Sequence, residues 1–144
     1  MEFISIKPTI TSDDVEKFEK EVLTKYMTDL KNPRFPESFR KHVVEIHGGK
    51  PKKDILINVE KRLHYYFTLV RIDSHLESCY DLYPKKNYVG FVSDQGGNPF
   101  CFDLTPGKNY GKIYFCPMDG GFDYKEIAKD YDEFLSLLVS DEEY

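Results

Sequence analysis

The chain contains no tryptophan, three cysteines, and no apolar run approaching the roughly 20 residues needed to cross a bilayer. Cys79, Cys101 and Cys116 are odd in number and have no Cys-x-x-Cys spacing. Each lies in or beside a strand-like run, where a reduced cysteine behaves as a small buried apolar residue. No basic stretch followed by an apolar one opens the chain, so no secretory leader is expected, and the composition predicts a reduced, soluble, cytoplasmic protein. Phosphate-cradling glycine patterns are also missing. Gly48-Gly49, Gly96-Gly97 and Gly120-Gly121 occur, but neither Gly-x-Gly-x-x-Gly nor Gly-Lys-Ser/Thr does. Asp119 and Asp123 flank the third pair with the wrong charge for an anion. With 25 acids against 20 bases the net charge is −5, which disfavours gripping a phosphate backbone and suits a basic partner.

Catalytic and metal-binding patterns are absent as well. His42, His47, His64 and His75 are scattered, and none repeats at the four-residue step that places two ligands on one helical face. Asp94-Gln95-Gly96-Gly97-Asn98 superficially resembles a calcium loop but lacks the further oxygen ligands and the closing bidentate glutamate. A tight turn capped by its own Asp and Asn is the expectation there. Ser74, His75, Ser78 and Cys79 are close in sequence, which does not make a triad, and no Gly-x-Ser-x-Gly elbow exists. Asp13-Asp14, Asp130 and Asp132 are expected as solvated charge on helix surfaces. No catalytic residue, metal site or cofactor is assigned, and the chain is expected not to be an enzyme.

What is present is ample core material: 40% apolar residues, including 11 Tyr and 11 Phe. Val15, Phe18, Val22, Tyr26 and Leu30 recur at helical steps after a cap at Thr11, Ser12 or Asp13, with Glu16, Lys17, Glu19 and Lys20 on the wet face, and Pro33 ends the helix. A second helix begins at Pro36, carries Phe39, Val43 and Ile46, and stops at Gly48-Gly49. A third is expected from Asp123, with Glu126 completing a capping box, through Ile127, Tyr131, Phe134, Leu135 and Leu138. Between the second and third lie strand-type runs at Ile55 to Val59, Leu63 to Ile72 and, as strand or helical turn, Leu76 to Leu82. The predicted fold is α+β: a single domain with a largely antiparallel twisted sheet of about five to six strands and helices packed around it. The domain spans 1–144, with its core at about 11–139 and an acidic tail at 140–144.

The segment from Tyr88 to Cys116 is the most informative. Three short strand-type runs are joined by two turns, with Phe100, Phe102 and Leu104 on one face and Cys101 and Asp103 on the other. This meander, the segment Phe35 to Gly49, and the closing Ile127-Ala128 with Tyr131, Phe134 and Leu135 together resemble the SUKH superfamily. The first of that family's motifs reads leucine-proline, helix, asparagine-glycine-glycine, where this chain has Phe35 and His47 in place of the leucine and asparagine. The resemblance covers Asp13 to Leu138. It implies an α+β fold and a non-enzymatic role, in bacteria as immunity proteins that bind partner toxins, often nucleases, and in fungi as regulatory interaction proteins.

The corresponding expectation is a cytoplasmic protein that neutralises a toxin domain by stoichiometric occlusion, as monomer or homodimer, without direct contact to nucleic acid or membrane. Its candidate partner-binding residues are Asp94, Gln95, Asn98 and Asp119, with Tyr83 and Tyr110 as aromatic anchors. The alternatives are a regulatory or scaffold protein with an endogenous partner, and a small-ligand binder.

Overall fold

The computed structural model describes residues 3–4, 10–46, 50–51, 55–59, 62–69, 83–94, 96–117 and 124–140. The first helix, α1 (Ser12–Phe18), opens on a reciprocal cap. Asp14 N–H donates to Thr11 Oγ1 at 3.2 Å, and Thr11 N–H donates to Asp14 Oδ2 at 2.8 Å. The helix runs into a π-helical stretch at Glu19–Leu23, where Thr24 N–H reaches the Glu19 carbonyl, and then into α2 (Thr24–Tyr26). The next helix, α3 (Glu37–Ile46), starts behind Pro36, whose carbonyl accepts Arg40 N–H at 3.0 Å. The expected stop at Gly48-Gly49 and the run at Leu76 to Leu82 lie outside the described residues.

Among the described residues, nine strands follow the chain order: β1 (Phe3–Ile4), β2 (Lys50–Pro51), β3 (Ile55–Val59), β4 (Arg62–Leu69), β5 (Tyr88–Asp94), β6 (Pro99–Asp103), β7 (Ile113–Phe115), β8 (Lys125–Ala128) and β9 (Leu138–Ser140). β1 and β2 form a separate pair, and the rest form one sheet in the order β8-β7-β6-β5-β4-β3-β9. All of its pairings are antiparallel, so the expected α+β architecture is present.

The third helix begins later than the sequence suggested. Lys125–Ala128 is an edge strand on β7, and α4 occupies only Tyr131–Ser136. Its cap is Asp130, whose Oδ1 accepts Glu133 N–H at 2.8 Å, while Glu133 Oε1 accepts Lys129 N–H at 3.1 Å. Pairing with β7 outweighs the helix preference of Lys-Glu-Ile-Ala, and Asp130, exposed as expected, also serves as the helix cap.

The short α4 also constrains the sheet. It leads from β8 at one edge to β9 at the other. A flat seven-stranded sheet would separate those edges by about 29 Å, whereas the connection reaches only about 24 Å with its linkers extended. The sheet therefore curls. Register shifts between Gly90 and Val92 and between Ile113 and Tyr114 supply local bends.

Inside the curl, Phe39 from α3 meets Phe91 at 5.8 Å, Phe102 at 5.2 Å and Tyr131 at 5.4 Å between ring centroids. Phe134 closes on Phe91 at 5.2 Å and Phe100 at 5.6 Å. The predicted faces hold: Phe100, Phe102 and Leu104 enter this core, while Cys101 joins a separate cluster with Cys116. Both cysteines are reduced and buried; Cys79 lies outside the described residues.

Phe39→Ala is expected to cost about 3–5 kcal/mol in denaturant unfolding, because it removes a ring touching four aromatic neighbours. A second expectation concerns His42, which reaches Tyr131 OH from Nδ1 at 2.6 Å and ties α3 to α4. Burial holds its pKa below the ordinary value of 6.5, opposed by the Glu45 carboxylate. The unfolded chain then takes up the proton first. The contribution of His42 is complete above pH 6.5 and is lost as pH falls from there to the folded pKa. Unfolding titrations should show that decline, and His42→Gln should flatten it.

Candidate functional site

The surface that carries the exposed Tyr110 is set in place by one buried carboxylate. Glu19 is only 2% exposed. Its Oε2 accepts Phe35 N–H at 2.7 Å and Arg40 Nε at 3.2 Å, and its Oε1 accepts Arg40 Nη2 at 3.1 Å. Arg40 also donates to Glu37 at 3.3 Å. Burial pushes the Glu19 carboxyl above its usual range, and Phe35 N–H and Arg40 oppose this. Burial works against the Arg40 charge too, but Glu19 and Glu37 hold it above its usual range. These two shifts pull the pair in opposite senses. Three donors converging on one carboxylate identify the ionised pair as the working form.

This clamp fixes the connection between α2 and α3. That connection forms one wall of an open groove of about 660 Å³, faced across by the β6–β7 connection. Leu30, Pro33 and Arg34 line the first wall, and Leu104, Pro106 and Tyr110 the second. Tyr110 OH donates to the Arg34 carbonyl at 2.7 Å and joins the walls. Gly107 and Gly111, with φ of +116° and +84°, let the second wall turn tightly enough to present Tyr110. Tyr110 is the one large apolar side chain strongly exposed among the described residues, at 40%.

The other candidate residues do not converge on it. Asp94 is buried, and its Oδ1 accepts Gly96 N–H and Asn98 N–H, both at 2.9 Å, with Asn98 Nδ2 at 3.3 Å. These two residues shape the β5–β6 turn, at the opposite end of β6 from the connection that carries Tyr110. Tyr83 is half-buried and stacks on Tyr26 with centroids 3.9 Å apart and planes at 7°. Gln95 and Asp119 lie outside the described residues.

A protein-family comparison matches residues 9–137 to the SMI1 / KNR4 family (SUKH-1). The chain belongs to this family. No curated protein and no solved structure matches it. Among the described residues of this SUKH-1 domain, no group of three or more His, Cys, Asp and Glu is placed to hold a metal ion, and no helix is long and apolar enough to cross a membrane.

Sequence reasoning placed Glu19 on the wet face of the first helix and missed the clamp. The available signal was spacing: Glu19 follows Val15 by four residues and precedes Leu23 by four, and both neighbours are buried. Leu30 was legible as part of the apolar stripe and Pro106 as part of a turn, but nothing local brings them together, and Arg34 carried no signal.

Glu19→Leu is expected to cost about 3–5 kcal/mol, since it strands the Arg40 charge and the Phe35 N–H. Adding Arg40→Met should recover part of that loss, leaving about 1–2 kcal/mol for the unpaired amide. Urea unfolding of the single and double variants measures both steps.

Proposed function

We propose that this SUKH-1 domain is a non-enzymatic, cytoplasmic bacterial immunity protein that binds a cognate toxin and neutralises it by stoichiometric occlusion. The observation that carries this reading is Tyr110. An exposed tyrosine, held rigid by its own hydroxyl on a wall braced by a buried ion pair, is the kind of anchor that dominates protein interfaces. Such pre-positioning lowers the ordering cost of association. Family membership supports a protein partner, and the net charge of −5 favours a basic one such as a nuclease-type effector.

In this reading the groove beside Tyr110 is the centre of contact. Tyr83 braces Tyr26, which leads into the groove wall. Asp94 and Asn98 serve by shaping the β5–β6 turn, and Gln95 and Asp119 are further proposed contacts on the strength of their polar and acidic side chains.

Co-expression with the toxin encoded beside its gene should yield a one-to-one complex and protect the host. Tyr110→Ala should weaken that complex about 30-fold, equivalent to about 2 kcal/mol, at a cost to folding of only about 1 kcal/mol for the lost Arg34 hydrogen bond. Failure of any neighbouring toxin to be bound and neutralised, or undiminished binding by Tyr110→Ala, overturns the assignment.

A further inference from the structure

The face of the sheet turned away from the helices has a different character from the groove. Strand alternation places Tyr88, Cys101, Tyr114 and Cys116 there, and Tyr124 packs over the same small cluster. The Tyr88 ring lies 5.1 Å from Tyr114 at 35° and 6.2 Å from Tyr124 at 37°, so three phenols form a continuous tilted surface. Around them is an open tray of about 670 Å³ whose rim carries Lys85, Lys86 and Lys125, all exposed. Lys85 Nζ stands 5.2 Å from the centroid of the Tyr88 ring. Among the described residues the tray's one lining carboxylate is Asp103, which is buried and accepts Thr105 N–H at 2.9 Å. With Lys86 ion-paired to Asp29, Lys85 and Lys125 still outnumber Asp103, so the described lining is basic where the chain as a whole carries −5.

We infer that this tray docks an acidic segment of a partner protein, with its carboxylates against Lys85 and Lys125 and its apolar side chains on the rings of Tyr114 and Tyr124. Charge complementarity selects the sign of the occupant. The rings are already fixed: Tyr124 OH donates to the Pro84 carbonyl at 3.3 Å, and Tyr88 is hydrogen-bonded to Tyr114. Binding there orders little that is not ordered beforehand. A nucleic-acid strand also pairs lysines with aromatic faces. Tyr88, however, is almost wholly buried beneath Lys85, which leaves that ring no open face on which a base could stack.

The tray goes beyond the toxin-binding reading, because a basic toxin would avoid these lysines. It is also physically linked to the groove, since Lys86 on the tray is ion-paired with Asp29 on the groove wall.

The test titrates the full chain with four probes: a short glutamate- and phenylalanine-rich peptide, its lysine-for-glutamate counterpart, a neutral proline-rich peptide, and single-stranded oligo-dT. Calorimetry gives affinity, and NMR shifts of the tyrosine rings give location. The acidic peptide alone should bind, with shifts confined to Tyr88, Tyr114 and Tyr124, and added salt should weaken it. The doubly charge-reversed variant Lys85→Glu/Lys125→Glu should bind it at least about tenfold more weakly while still unfolding in one cooperative transition. No saturable binding of the acidic peptide, binding unaffected by charge reversal, or tighter binding of any other probe overturns the proposal. Peptide binding without toxin neutralisation would sink only the immunity reading, and toxin neutralisation without peptide binding would sink only this one.

Discussion

The buried pairing of Glu19 with Arg40 and the Phe35 amide is the constraint on which the exposed features rest. It joins the first helical segment, the loop behind Pro33 and α3 in a region where no strand ladder runs. A carboxylate that accepts from a backbone amide as well as a guanidinium fixes position and direction together, which an apolar contact of the same size does not. From that point the geometry passes outward to Arg34, whose carbonyl receives the Tyr110 hydroxyl, and so to the opposite groove wall. The cost of burying a charge is offset by defining where a loop with no regular structure of its own must lie.

The sheet separates the molecule into two chemistries by alternation alone. On one side Phe91, Phe100 and Phe102 meet the helices through edge-on and tilted ring contacts that favour a unique arrangement over a fluid one. On the other, the same strands offer tyrosines and small thiols instead of phenylalanines. Each phenol there combines an apolar ring with a polar tip, which suits a surface that is neither fully buried nor freely solvated. The groove and the tray meet at the Lys86–Asp29 pair, so the two surfaces are adjacent regions of one exterior.

Much of the fold was legible in the sequence because two periods were clean. The step-two pattern from Tyr88 to Phe115, interrupted by Asp94–Asn98 and Pro106-Gly107, gave the meander and its faces. The three-and-four spacing of Val15, Phe18 and Val22 gave the first helix. Lys125–Ala128 was illegible because four residues with helical preference become a strand only when β7 is beside them. Of the candidate site, Tyr110 stood out as an aromatic in a turn. The surroundings that make it rigid come from residues distant in sequence, such as Arg34. Glu19 shows a different limit: a charged residue on an apolar stripe looks like surface until its cation is found across the fold.

The curl of the sheet has a consequence for how the protein is made. β9 completes the sheet by pairing with β3, whose residues leave the ribosome long before those of β9. Until then β3 presents an unpaired edge, and α4 cannot be drawn across the open side of the curl. Closure of this kind depends on partners far apart in sequence and is intrinsically slow. A nascent chain would thus pass through a stage with its aromatic interior partly uncovered, and protection by chaperones at that stage would matter more than the stability of the finished domain suggests.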